Sequence, residues 1–223
     1  MWQDYHLPRG CASGSHGSQS PHVNLPNSIT VARLVLTAVF IGGAAMQTPL
    51  GHWIALVAFV IAAISDFLDG YLARKLGLVT NMGKLIDPLA DKILVSAAYV
   101  YLTAQVLEDG SRICPVWITV VIIGREFLVT GLRQLAVEAN QVIAADHLGK
   151  WKTGAQLCFC ITCLHHFAYQ GFSPENPWVR LFQYLSNPDG WLTFGSLWAS
   201  LVMTVWSGWN YTWGARALIF KKN

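Results

Sequence analysis

Residues 65–92 constrain the fold of this chain more than any other stretch, because they set acidic side chains between strongly apolar segments. The sequence SDFLDGYLARKLGLVTNMGKLIDPLADK carries four aspartates: Asp66, Asp69, Asp87 and Asp91. An ionised carboxylate at membrane depth costs roughly 2.5–3.5 kcal/mol, so four would cost on the order of 10 kcal/mol without neutralisation. We therefore expect cations at this stretch, and a pair of divalent metal ions is the simplest candidate.

The composition favours a membrane protein over a soluble domain. Hydrophobic residues make up 53% of the 223 residues and charged residues only 12%, with ten tryptophans among them. Soluble domains carry about 25% charged residues. At about 20 residues per span plus loops, a chain of this length holds about six helices. We predict an all-α polytopic membrane protein with six transmembrane helices, and the scattered net charge of +3 gives no nucleic-acid site.

The apolar segments and the turn residues between them place these helices. The predicted spans cover approximately 28–46, 53–75, 85–106, 113–137, 152–169 and 191–213. Asn27 or Ser28 is expected to cap the first span, and 170–190 is interpreted as a longer loop. The domain prediction is a flexible tail (1–23), a catalytic helical domain (24–216) and a basic cytosolic tail (217–223).

The cysteines are interpreted as small apolar side chains. Three of the five, Cys158, Cys160 and Cys163, lie in one apolar segment, so they do not form a disulfide framework. Trp and Tyr residues near 191, 206, 209, 211 and 213 are typical of a membrane interface.

The distribution of Lys and Arg predicts the orientation in the membrane. One set of loops and the C-terminal tail share most of the basic residues: Arg74, Lys75, Lys84, Lys150, Lys152, Arg216, Lys221 and Lys222. The opposite loops contain Arg112 and Arg180. Because cytoplasmic loops carry the excess of Lys and Arg, both termini and the aspartates are expected to face the cytoplasm. The expected location is the bacterial inner membrane.

The spacing of the aspartates predicts a metal site. Asp66 and Asp69 are three residues apart and Asp87 and Asp91 are four apart, and either spacing sets two side chains on one helix face. Two such pairs on consecutive helices can converge into one carboxylate cluster. Carboxylate oxygens suit Mg²⁺ or Mn²⁺, and two such ions balance four negative charges.

Small residues and one arginine border this acidic face: Gly70, Ala73, Gly83 and Arg74. Small side chains let a nucleotide lie close to the backbone, and an arginine at the membrane edge can bind its phosphate. The alternative is that the glycines serve helix packing and that Arg74 is an orientation anchor.

These residues form a recognisable signature. The pattern is Asp66-x-x-Asp69-Gly70-x-x-Ala73-Arg74, eight further residues, then Gly83-x-x-x-Asp87-x-x-x-Asp91. It resembles the signature of the CDP-alcohol phosphotransferase family at all eight fixed positions. The resemblance implies six transmembrane helices, usually a homodimer, a cavity open to the cytosol, and displacement of CMP from a CDP-linked lipid by an alcohol.

The resemblance also implies a role for each residue of the signature. Asp66, Asp69 and Asp87 are implied to be metal ligands, and Asp91 both a ligand and the general base for the attacking hydroxyl. The implied CDP-binding residues are Asp69, Gly70, Ala73, Arg74 and Gly83. On this interpretation the metals clamp the diphosphate and support an in-line attack on the β-phosphate.

Three further segments resemble the bacterial phosphatidylglycerophosphate synthase branch: residues 24–33, 124–138 and 148–156. The function implied is synthesis of phosphatidylglycerophosphate and CMP from CDP-diacylglycerol and sn-glycerol 3-phosphate. The last third of the chain resembles nothing specific.

Basic residues downstream of the signature favour an acceptor that carries a phosphate. Arg125 and Arg133 lie eight residues apart on an apolar helix and project within about 80° of each other. Lys150 and Lys152 flank the next cytosolic helix start. Glycerol 3-phosphate needs such a cationic pocket, whereas a neutral alcohol does not. The alternative is that Arg125 pairs structurally with Glu126 or a nearby aspartate and that the lysines only anchor orientation.

Other functions remain open from the sequence. Within the family, the acceptor could be inositol phosphate, or phosphatidylglycerol in a cardiolipin-forming reaction. An intramembrane prenyltransferase would favour adjacent aspartates, which these helices do not have. A divalent-cation transporter would need acidic residues on several helices along a path. Here the acids cluster at one cytosolic mouth, and four others sit in outer loops: Glu108, Asp109, Glu175 and Asp189.

Overall fold

A computed structural model describes residues 25–76, 83–107, 109–138, 148–170 and 176–219. Within these ranges the side chains of 25–30, 66–76, 83–91, 137–138, 148, 150, 215 and 217–219 are not described. The described helices are α1 (Leu25–Ala45), α2 (Pro49–Leu76), α3 (Gly83–Ala104), α4 (Val116–Glu138), α5 (Leu148–Tyr169), α6 (Pro177–Leu185) and α7 (Trp191–Ile219). No β-strand occurs in these ranges beyond an isolated bridge between Val106 and Arg112, so the all-α prediction is confirmed.

Six long helices correspond to the six predicted ones, and two local predictions are wrong. Helix α1 begins at Leu25, so Asn27 and Ser28 lie inside it and do not cap it. Pro26 falls in the first helical turn, where the missing N–H of a proline costs nothing. Helix α6 interrupts the predicted 170–190 loop: Pro177 opens it and the Asn176 side chain accepts from Trp178 N–H at 3.0 Å.

Helices α1 and α2 form a tight antiparallel hairpin. A Cβ added to Gly43 would lie 2.8 Å from Gly51 O and 2.9 Å from Ala55 N, so the two backbones approach too closely for a larger residue. Helix α5 packs on both α2 and α7, and α4 packs mainly on α7. The chain therefore brings α4, α5 and α7 together beside the hairpin.

The core is built around Tyr99 of α3. Its ring stacks on Phe159 of α5 at 5.5 Å between centroids, and its hydroxyl lies 3.1 Å from Ser200 Oγ of α7. Cys114, Cys158, Cys160 and Cys163 form no disulfide, and all but Cys158, which is partly buried, are fully buried, in line with the interpretation as small apolar side chains.

Across the residues that the structure describes, no helix combines the length and the apolar run needed to cross a membrane. The six transmembrane spans therefore stay a prediction.

Candidate active site

The two aspartate pairs lie on consecutive helices near the same connection. Asp66 and Asp69 are in the second half of α2, which ends at Leu76, while Asp87 and Asp91 are in the first turns of α3, which begins at Gly83. All four side chains, and those of Gly70, Ala73, Arg74 and Gly83, fall outside the described ones, so the arrangement of the metal and nucleotide sites stays a prediction.

The donor chemistry of this stretch fits a divalent cation, since carboxylate oxygens on two adjacent helix ends can share one or two ions. Among the described side chains, no group of three or more His, Cys, Asp and Glu could hold a metal ion.

Immediately after Asp91, Lys92 enters a buried ion-pair network centred on Glu126. Glu126 is 4% exposed, and its Oε2 lies 3.2 Å from Lys92 Nζ. Its Oε1 lies 3.5 Å from Arg125 Nη1 and accepts a hydrogen bond from the Lys152 ammonium. One carboxylate of α4 thus ties together cations from α3, α4 and α5.

A cavity of about 110 Å³ adjoins this network. Its polar lining comes from four helices: Arg33 of α1, Lys92 of α3, Glu126 of α4, and Thr153 and Gln156 of α5. A polar cavity of this size next to Lys92 can accept water or a small anion beside the helix that carries Asp87 and Asp91.

The two predicted acceptor arginines meet on one residue of α7. Arg133 Nη2 donates to Tyr211 Oη at 2.8 Å, and Arg125 Nη2 donates to Ser207 Oγ at 2.5 Å. The Cζ atoms of Arg125 and Arg133 lie 5.9 and 5.6 Å from the Tyr211 ring centroid, within cation–π range. A Cβ at Gly208 would come within 3.0 Å of Arg125 Cγ, so a glycine allows this approach.

Of the two lysines predicted with these arginines, the structure describes the side chain of Lys152. Lys152 is 2% exposed and bonded to Glu126, so in this state its ammonium serves the ion-pair network. The side chain of Lys150 is outside the described set. The structural pairing of Arg125 with Glu126, kept as an alternative from the sequence, is present at 3.5 Å.

Comparison with known proteins identifies the family of this chain. The family model for CDP-alcohol phosphatidyltransferase matches residues 23–206. The chain belongs to the CDP-alcohol phosphatidyltransferase family. It is therefore an enzyme, as the signature predicted.

Three curated relatives illustrate the similarity. The CDP-diacylglycerol–glycerol-3-phosphate 3-phosphatidyltransferase of Bacillus subtilis is 40% identical over 84% of this chain and 93% of its own length. The enzyme of the same name from Rickettsia bellii is 39% identical over 60% of this chain and 71% of its own length. The cardiolipin synthase (CMP-forming) of Oryza sativa is 35% identical over 60% of this chain and 44% of its own length.

The sequence did not single out three buried residues of this phosphatidyltransferase as functional: Tyr211, Ser207 and Arg33. Tyr211 was assigned to an interfacial belt, yet it is 5% exposed and contacts both arginines. Ser207 gave no signal at all. Arg33, buried within an otherwise apolar helix, could have been found, because an ionisable residue in an apolar helix is by default a functional candidate.

The ion-pair network leads to a stability prediction for the transferase. Glu126→Gln is expected to destabilise the fold by about 3–5 kcal/mol, because it leaves the buried Lys152 and its neighbours without their counter-charge. Thermal unfolding of the purified protein measures this. Asp189→Asn, which changes an exposed carboxylate, is the control and should melt like the wild type. If Glu126→Gln unfolds at the same temperature as the wild type, the ion-pair network contributes little to the stability of the fold.

Proposed function

We propose that this protein is a membrane phosphatidyltransferase that makes phosphatidylglycerophosphate and CMP from CDP-diacylglycerol and sn-glycerol 3-phosphate. The observation that carries the proposal is the 40% identity, over 84% of the chain, to the Bacillus subtilis enzyme named for this reaction. The family match over residues 23–206 supports the same chemistry.

The cationic surface between α4 and α7 supports an acceptor with its own phosphate. Arg125 and Arg133 project side by side onto Tyr211, and Arg133 is exposed. A guanidinium presents several N–H donors in a fixed fork that matches phosphate oxygens. Since Glu126 already engages Arg125, Lys92 and Lys152, we propose Arg133 as the main ligand of the acceptor phosphate and Arg125 as its second ligand.

We propose that four aspartates hold two Mg²⁺ or Mn²⁺ ions: Asp66, Asp69, Asp87 and Asp91. When bound, these ions neutralise the negative charge of the diphosphate. Asp91 accepts the proton of the acceptor hydroxyl, whose oxygen forms a bond to the β-phosphorus. The bond from that phosphorus to the bridging oxygen breaks, and CMP leaves with the bonding electrons.

The proposed nucleotide surface comprises residues of the signature: Asp69, Gly70, Ala73, Arg74 and Gly83. Small residues there would let the cytidine diphosphate lie against the backbone, and Arg74 would bind a phosphate oxygen.

The exposed apolar surface supports a membrane setting. Large apolar side chains on four helices are about half exposed or more: Val35 and Ile41 of α1, Val57 and Ile64 of α2, Val120, Phe127 and Leu135 of α4, and Phe194, Val202, Trp206 and Trp209 of α7. Patches of this extent mark a surface that contacts lipid or protein. We propose the bacterial inner membrane, with the aspartates facing the cytoplasm and the enzyme acting as a homodimer.

A second candidate is cardiolipin formation with phosphatidylglycerol as acceptor. The resemblance to the Oryza sativa cardiolipin synthase favours it, at 35% identity over 60% of the chain. Its acceptor carries a phosphodiester with one negative charge. Two adjacent arginines attract this group less strongly than they attract a phosphate monoester, whose charge is higher.

An acceptor panel tests the proposal. Purified enzyme is given CDP-diacylglycerol and Mg²⁺ with glycerol 3-phosphate, inositol phosphate or phosphatidylglycerol, and CMP release is measured. We expect release with glycerol 3-phosphate, loss of activity after chelation, and recovery on adding Mg²⁺ or Mn²⁺. Release with another acceptor and none with glycerol 3-phosphate would reject the assignment. Full activity after chelation would reject the metal site.

A further inference from the structure

One face of α7 packs along the two arginines of α4. Ser207, Gly208 and Tyr211 lie within about one turn of this helix. Ser207 and Tyr211 are buried, and each accepts a hydrogen bond from a different arginine: Ser207 from Arg125 and Tyr211 from Arg133. All three residues follow residue 206, where the family match ends.

We propose that Ser207 and Tyr211 are positioning residues of the acceptor site: they fix the guanidinium groups of Arg125 and Arg133 for the acceptor phosphate. The inference rests on the proposed function, since it needs an acceptor that those arginines bind. It assigns a role in acceptor binding to residues in the last third of the chain, which resembles nothing specific in its sequence.

The physical basis is the cost of ordering a long side chain. A free arginine loses much of its rotamer freedom when a ligand fixes it, and this loss weakens binding. The Tyr211 hydroxyl and ring fix Arg133 in advance. The Ser207 hydroxyl and the close packing of the Arg125 stem on Gly208 fix Arg125. The hydroxyl of Tyr211 engages one N–H of Arg133, and a guanidinium has four others for phosphate oxygens. The other terminal nitrogen of Arg125, Nη1, lies 3.5 Å from Glu126 Oε1.

Tyr211→Phe is the decisive variant, because it retains the ring and its cation–π contacts and removes only the hydroxyl. We expect the KM for glycerol 3-phosphate to rise roughly 10-fold, as for the loss of one hydrogen bond to a charged group. The KM for CDP-diacylglycerol should stay within about twofold. Ser207→Ala, acting through Arg125, should give a rise of the same kind and provides a second, independent variant.

A double-variant comparison shows whether Tyr211 acts through Arg133. In an Arg133→Ala background, Tyr211→Phe should change the KM for glycerol 3-phosphate by less than about twofold, because coupled residues are not additive. Thr212→Ala is the matched control: it removes a neighbouring exposed hydroxyl that donates only to Gly208 O at 2.8 Å, and it should change neither KM.

The outcomes separate this inference from the proposed function. If the wild type releases no CMP with glycerol 3-phosphate, the proposed function fails and this inference with it. If the wild type is active but neither variant raises the KM for glycerol 3-phosphate selectively, only the inference is overturned. A lower maximal rate with both KM values unchanged indicates a purely structural role and also overturns it, as does full additivity with Arg133→Ala.

Discussion

Asp91→Asn is expected to lower turnover at least about 10³-fold while the enzyme still binds CDP-diacylglycerol. The change removes the proposed general base, and a positioned base typically contributes 10²–10⁴-fold. It also removes one charged ligand oxygen, whereas the carboxylates of Asp66, Asp69 and Asp87 remain to support metal and nucleotide-lipid binding. CMP release and equilibrium binding of CDP-diacylglycerol, measured on the same preparation, separate the two effects.

Asp109→Asn is the matched control for this variant. Asp109 lies in the turn between α3 and α4 and accepts hydrogen bonds from Ser111 Oγ and N–H at 2.7 and 2.9 Å, which lower the pKa of its carboxyl. It is exposed and far in sequence from the signature, so turnover should stay at the wild-type level. Near-normal turnover of Asp91→Asn would contradict the base assignment.

Arg133→Ala is expected to raise the KM for glycerol 3-phosphate roughly 10- to 100-fold, with little change in the KM for CDP-diacylglycerol. A hydrogen bond to a charged group contributes about 1.5–3 kcal/mol, and this variant removes the whole guanidinium from the acceptor phosphate. The exposure of Arg133 makes it accessible to a ligand, whereas Lys152 is buried against Glu126. Initial rates over a matrix of both substrate concentrations give the two KM values.

Arg112→Ala provides an arginine control at a different position. Arg112 is exposed near the start of α4, where its Nη1 donates to Thr103 O at 2.8 Å. It carries the same charge as Arg133 and has no proposed contact with either substrate, so both KM values should be unchanged. Equal increases in both KM values for Arg133→Ala would show that Arg133 is not a ligand of the acceptor phosphate.

The long helices were largely predictable, because each is a predominantly apolar segment bounded by turn residues. The predicted 85–106 and 113–137 correspond to Gly83–Ala104 and Val116–Glu138. Helix α6 was missed since it has only nine residues and Pro177, which opens it, indicates a loop as readily as a helix start. The cap at Asn27 or Ser28 was wrong for a related reason: Pro26 can lie inside the first turn as well as before it.

The candidate site was predictable only in part. The identity and spacing of Asp66, Asp69, Asp87 and Asp91 are properties of the sequence itself, and so is the common face of Arg125 and Arg133. The sequence left open whether Arg125 pairs with Glu126, because adjacent residues on a helix do not face each other by default. The structure shows that Glu126 engages Arg125 together with Lys92 and Lys152.

The sequence by itself therefore determined the family, the long helices and the acidic signature, because these depend on residue type and short spacing. Only the tertiary structure decided what surrounds the arginines. Ser207 meets Arg125 across 82 residues and Tyr211 meets Arg133 across 78, when α7 packs on α4. No local periodicity encodes a contact between helices so distant in the chain, since the contact depends on how α4 packs against α3 and α7, and how α7 packs against α5.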